Sequence, residues 1–96
     1  MNPIVIVSGG TKGIGKATVE QFMAAGFDVV TCARNEADLT DIQTALQEQY
    51  APARFYEKTA DLAVKKEVEA FVDFIKELNR PVEVLVNNTG LFAPGQ

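Results

Sequence analysis

The run Ile4-Val5-Ile6-Val7 stops at Ser8-Gly9-Gly10-Thr11-Lys12-Gly13-Ile14-Gly15, and a helix-periodic stretch follows at once. All four residues of the run are apolar and β-branched, which suits a strand buried on both faces, as in a parallel sheet. Parallel strands need crossovers of a dozen residues or more. The rest of the chain supplies them.

From Gly13 to Ala25, the residues Ile14, Thr18, Phe22 and Ala25 return at helical spacing, and Gly26 is placed to end that helix. Phe27 to Ala33 reads as a second strand around Val29 and Val30. Asn35 can cap the next helix, with Asp38 in its acidic first turn. Leu39, Ile42 and Leu46 form its apolar stripe, and Pro52 follows its end. A third strand is expected over roughly Arg54 to Ala60, with Phe55 alternating against polar neighbours. Val64, Val68, Phe71, Val72, Ile75 and Leu78 mark one face of a third helix. Ala63 holds the place where Ser, Thr or Asp would cap it, and Lys65 and Lys66 oppose its dipole. Val82 to Val86 is a fourth strand, ending at Asn87-Asn88-Thr89-Gly90.

The pattern β-α-β-α-β-α-β predicts an α/β fold: a doubly wound parallel sheet of Rossmann type with four strands and three helices. Right-handed crossovers that reverse direction after the third strand give the order 3-2-1-4. The first two helices then share one face of the sheet and the third takes the other. The fourth strand becomes an edge, β-branched and apolar, with Glu83 as its one charge. Phe74, at the margin of the third helix's stripe, is expected in an exposed patch beside it.

With 96 residues, 47% of them hydrophobic, the chain can build one small packed domain and not two. A formal net charge of −4 opposes a nucleic-acid footprint. Cys32 is the only cysteine, so no internal disulfide is expected. It reads as a buried, inert thiol, with nothing nearby in sequence to lower its pKa. The apolar run is too short for a signal peptide or a membrane span, so a cytoplasmic protein without membrane contact is expected. No metal site is expected.

Gly9, Gly13 and Gly15 stand at a strand-to-helix junction, the context of a dinucleotide loop. Gly9 can take the tight turn, Gly13 permits close backbone approach, and Gly15 lets the helix pack on the sheet. The helix N-terminus would offer free N–H groups and a positive dipole end to a pyrophosphate. Two other readings stay open here. One is a glycine-rich structural turn. The other is an NTPase phosphate loop, because Gly10-x-x-x-x-Gly15-Lys16 fits that motif until Ala17 replaces its hydroxyl residue.

The chain resembles the short-chain dehydrogenase/reductase family. That family's Thr-Gly-x-x-x-Gly-x-Gly loop appears with Ser8 for Thr, followed by Gly9, Gly13 and Gly15. Its Asn-Asn-Ala-Gly signature appears as Asn87-Asn88-Thr89-Gly90, and its Asp-hydrophobic pair as Asp61-Leu62. The resemblance implies that Thr11, Lys12, Gly13, Ile14 and Gly15 surround the pyrophosphate and ribose. It implies that Asp61 accepts from the adenine amino group and that Leu62 meets the ring through its main chain. Asn88, Thr89 and Gly90 would line the nicotinamide-side ribose, with the Ser8 hydroxyl tying the glycine-rich loop to them.

NAD-binding folds place an acid at the end of the second strand, about 20 residues past the glycine-rich loop. Here Ala33 stands there, and Arg34 follows. A guanidinium can grip a 2′-phosphate in bidentate fashion, and Lys12 can close on the same group. NADP(H) is the expected cofactor. The family's proton-transfer pair, Tyr-x-x-x-Lys, has no counterpart. Tyr50 is followed four positions on by Arg54, and Tyr56 by Ala60. The chain is therefore expected to be the N-terminal, cofactor-binding fragment, residues 1–96, of an NADPH-dependent oxidoreductase acting on a small carbonyl or alcohol, inactive alone. A homo-oligomer is expected. A small dinucleotide-binding protein without catalysis is the alternative.

Overall fold

The computed structural model describes residues 3–9 and 13–87. Its elements run β1 (Ile4–Ser8), α1 (Gly13–Ala24), β2 (Asp28–Ala33), α2 (Glu36–Tyr50), β3 (Phe55–Thr59), α3 (Lys65–Glu77) and β4 (Val82–Asn87). All strand pairs are parallel, in the order β3-β2-β1-β4. That is the partial Rossmann sheet the element pattern predicts.

Strand alternation divides the core in two. Val5, Val7, Val29 and Phe55 face α1 and α2, meeting Val19 and Met23 from the one and Ile42 and Leu46 from the other. Ile4, Ile6, Val30 and Cys32 face α3, whose Phe71 is fully buried among them. The helices thus lie on both faces as expected. β1 is buried along its whole length because it is central and covered on both sides.

The buried face of α1 corrects the expected stripe. Gly15, Val19 and Met23 point into the core. Ile14 is 79% exposed, Ala25 is exposed, and Thr18 turns its hydroxyl to the Ile14 carbonyl at 2.8 Å. Of the expected set only Phe22 packs inward, edge-on to Phe27. The two rows lie about 100° apart on the helix, and the sheet buries the one with Val19 and Met23.

α2 starts as expected: the Asn35 side chain accepts the Asp38 N–H at 3.1 Å, and Leu39, Ile42 and Leu46 are buried. Gln47 clamps its end to β3, donating to the Ala53 carbonyl and accepting the Phe55 N–H at 3.0 Å. α3 is capped at Val64, one residue later than expected, without a side-chain cap bond. Val64 and Val72 are exposed, while Val68, Phe74, Ile75 and Leu78 pack partly buried on the second core. Phe74 therefore belongs to that core and not to an exposed patch. No described helix is long and apolar enough to cross a membrane.

Candidate functional site

Strand register brings the candidate residues to one edge. Ser8 pairs with Cys32 on one side and with Asn87 on the other, and Ala33 pairs with Thr59. With strands about 4.8 Å apart, the four carboxyl ends form a row about 14 Å long. The chain leaves β1 toward β2 on one side, while β4 lies on the other. The crevice at that reversal is where open α/β sheets bind ligands.

At the centre of the row, the Gly9 N–H donates to the Cys32 carbonyl at 3.0 Å and Gly9 has φ 67°. Gly13 also has a positive φ, 56°, and a Cβ there would meet nothing within 4 Å. The space at Gly13, the first residue of α1, is therefore open. The first turn of α1 carries no acid to oppose an anion. Gly15 is buried. Ser8 is fully buried, and its hydroxyl donates to the Val86 carbonyl at 3.5 Å, a long contact joining β1 to the end of β4. The Thr31 hydroxyl likewise donates to the Val7 carbonyl. Thr11 and Lys12 lie outside the described residues, as do Asn88, Thr89 and Gly90.

Arg34 is exposed just past the end of β2, where Ala33 leaves no carboxylate. Beyond β3, the Ala60 N–H still donates to the Ala33 carbonyl at 2.9 Å. Asp61 then becomes a hub. Its N–H donates to Glu67 Oε1 at 2.8 Å, its Oδ1 accepts the Ala63 N–H at 3.0 Å, and its carbonyl accepts the Val64 N–H at 3.0 Å. Leu62 is a buried plug whose N–H has no acceptor among the described residues. Asp61 and Leu62 thus carry, side by side, a carboxylate acceptor and a backbone N–H without an acceptor among the described residues.

Two acids escaped the sequence reading. A helix capped at Ala63 makes Glu67 its fourth residue; with Val64 as N-cap it is N3, the position whose side chain folds back over the cap. Glu57 shares a face of β3 with the buried Phe55, an alternation visible in sequence. Its Oε2 is buried with no partner among the described residues. Burial, and then the nearby Glu36 carboxylate, hold its carboxyl above the usual glutamate range. Cys32 is inert, as expected: burial pushes its thiol up to about 11, against a smaller opposing effect of the Gly9 backbone.

The profile of the family described as short chain dehydrogenase matches residues 3–96. The chloroplastic chlorophyll(ide) b reductase of Oryza sativa is 31% identical over 90% of this chain and 25% of its own length. Sulfoacetaldehyde reductase 2 of Chromohalobacter salexigens is 33% identical over 95% of this chain and 35% of its own. The chain therefore spans about a quarter to a third of the length of these curated relatives. In fold it is similar to L-sorbose reductase of Gluconobacter frateurii complexed with NADPH and L-sorbose. There the TM-score is 0.86 at 29% identity, covering 93% of this chain and 34% of that one. Neither a merely structural glycine turn nor an NTPase loop accounts for a match across residues 3–96, and the chain belongs to the short-chain dehydrogenase family.

Proposed function

We propose that residues 1–96 form the N-terminal portion of an NADP-binding Rossmann domain in an NADPH-dependent short-chain oxidoreductase. The observation that carries the cofactor choice is the end of β2, where Ala33 and an exposed Arg34 replace the acid that would hold a ribose 2′-OH. The described residues fit the dinucleotide. The space beside Gly13 is open, no acid stands in the first turn of α1, and Asp61 and Leu62 offer paired hydrogen-bonding groups.

In this reading the N–H groups opening α1, with Thr11, Lys12 and the main chain of Ile14, hold the pyrophosphate. Arg34 and Lys12 bind the 2′-phosphate. Asp61 and Leu62 orient the adenine, and Asn88, Thr89 and Gly90 line the second ribose. Ser8 ties the glycine-rich turn to the end of β4. Bound NADPH supplies the hydride for reduction of a carbonyl, and the reverse transfer oxidises the alcohol. The proton donor for that step lies outside this chain's residues, since Tyr50 and Tyr56 lack the paired lysine. Relatives named as reductases of sulfoacetaldehyde and L-sorbose support a small carbonyl or alcohol substrate.

Fluorescence titration with NADPH, NADH and Mg-ATP tests the proposal. NADPH should bind more tightly than NADH. Arg34→Asp should remove that preference, since one charge-assisted contact is worth ~1.5–3 kcal/mol. An unchanged preference in the variant would refute the role of Arg34, and tighter binding of Mg-ATP would refute the proposal itself.

A further inference from the structure

We infer that Glu67 is a positioning residue that sets the adenine selectivity of the site through Asp61. This inference rests on the reading of Asp61 and Leu62 as the adenine contacts. Glu67 is the third residue of α3 and half-buried, and its Oε1 accepts the Asp61 N–H at 2.8 Å. It touches no reacting group. What it holds is the backbone from which the Asp61 carboxyl and the Leu62 N–H project.

Asp61 is fixed at three points, and each has a separate function. The Ala63 N–H on Oδ1 fixes the side-chain rotamer, while the Val64 N–H on the carbonyl closes the turn into α3. Neither of these sets the rotation of the peptide entering Asp61, the one joining it to Ala60. Glu67 does so, by engaging that peptide's only donor. On the preceding residue, the Ala60 N–H is held by the Ala33 carbonyl of β2. The segment 60–64 is thereby anchored to the sheet at one end and to α3 at the other. Leu62, buried between these anchors, cannot move independently. A carboxylate retains acceptor capacity after taking one donor, so Asp61 can still receive an amino group while held by Ala63. Pre-setting its direction removes the ordering cost of binding, and the gain is confined to ligands that use this carboxyl.

The test compares NADPH with its deamino form, in which a carbonyl replaces the adenine amino group. Dissociation constants are measured by fluorescence titration for the unmodified protein, Glu67→Ala, Glu67→Gln and Asp61→Asn. The unmodified protein should prefer NADPH by about tenfold or more, the worth of a hydrogen bond to a charged group. Deamination also puts a proton on N1, so Glu67→Ala, which frees both groups, should bring the ratio to within about twofold, and Asp61→Asn should lower it without abolishing it, because the Leu62 N–H still discriminates at N1. Glu67→Gln should restore it, because its amide oxygen accepts the same N–H. Glu67→Met, which keeps the stem and loses the acceptor, repeats the measurement if the alanine variant does not fold.

A purely structural role would weaken both ligands equally. A ratio retained in Glu67→Ala therefore overturns the inference while leaving the cofactor assignment intact. Binding of NADPH by the unmodified protein without any preference also overturns it, together with the adenine role of Asp61. Failure of the unmodified protein to bind NADPH would instead refute the proposed function.

Discussion

Asp28 and Arg80 form a buried ion pair, Oδ2 to Nη2 at 2.7 Å, at the end of the sheet opposite the candidate site. Asp28 begins β2 and Arg80 lies just before β4, so the pair reaches across the strand between them. The other Asp28 oxygen accepts the Arg54 N–H at 2.7 Å, and Arg80 Nη1 donates to the Tyr56 hydroxyl at 3.3 Å. One carboxylate and one guanidinium thus join the starts of β2, β3 and β4.

Replacing Arg80 by Met removes the counter-charge and leaves Asp28 buried. The expected loss is ~3–5 kcal/mol of folding stability, most of it the cost of keeping a buried carboxylate without that guanidinium. Adding Asp28→Asn to the same protein should recover part of it. Urea denaturation at neutral pH measures both, and a loss under about 1 kcal/mol would show that the pair behaves as a solvated one.

The start of α3 invites a stabilising change. Val64 is the N-cap, extended at φ −104°, ψ 117°, and its side chain makes no cap bond. Threonine keeps the branched shape and adds an acceptor for the orphan N–H groups. Val64→Thr should therefore stabilise the fold by about 1 kcal/mol. Ala63→Asp, one position earlier, should not reproduce this. A thermal melt that falls with Val64→Thr would place the helix start elsewhere.

Glu57 should make stability pH-dependent. Its folded pKa is raised by burial and by Glu36, so the native state holds its proton more tightly than the unfolded chain does. Its contribution to stability is then greatest at acid pH and falls as pH rises from the unfolded glutamate value of about 4.3 through the higher native value. Glu57→Gln should raise the melting temperature at pH 7, with the gain shrinking as the pH is lowered toward 4. A gain independent of pH would trace the effect to packing instead of charge.

The β4 edge should drive self-association. Leu85 is 56% exposed and Val82 43%, beside a groove of about 290 Å³ lined by Ile6, Phe71, Val72, Ile75, Lys76 and Leu85. The opposite edge, β3, carries Glu57 and Lys58, which discourage pairing. Leu85→Lys should lower the scattering mass at high protein concentration and leave the melting curve nearly unchanged. Equal association of both proteins would exonerate this edge.

Sequence by itself determined the order of elements, the start and stripe of α2 and the positions of the strand ends. Each depends on neighbours within a few residues: Asn35 caps the helix it adjoins, and Leu39, Ile42 and Leu46 are buried wherever that helix packs. The β-branched runs and glycine breaks marked the strands for the same reason, and with them the edge where Ser8, Arg34 and Asp61 gather. Tertiary structure alone decided which row of α1 is buried. The spacing of Ile14, Thr18 and Phe22 and that of Gly15, Val19 and Met23 satisfy the helical period equally, and only the distance to the sheet separates them. It also decided that Asp28 meets Arg80, 52 positions apart by numbering. That contact depends on where separate elements come to rest, and a polar residue carries no mark in the sequence of the partner that burial will give it.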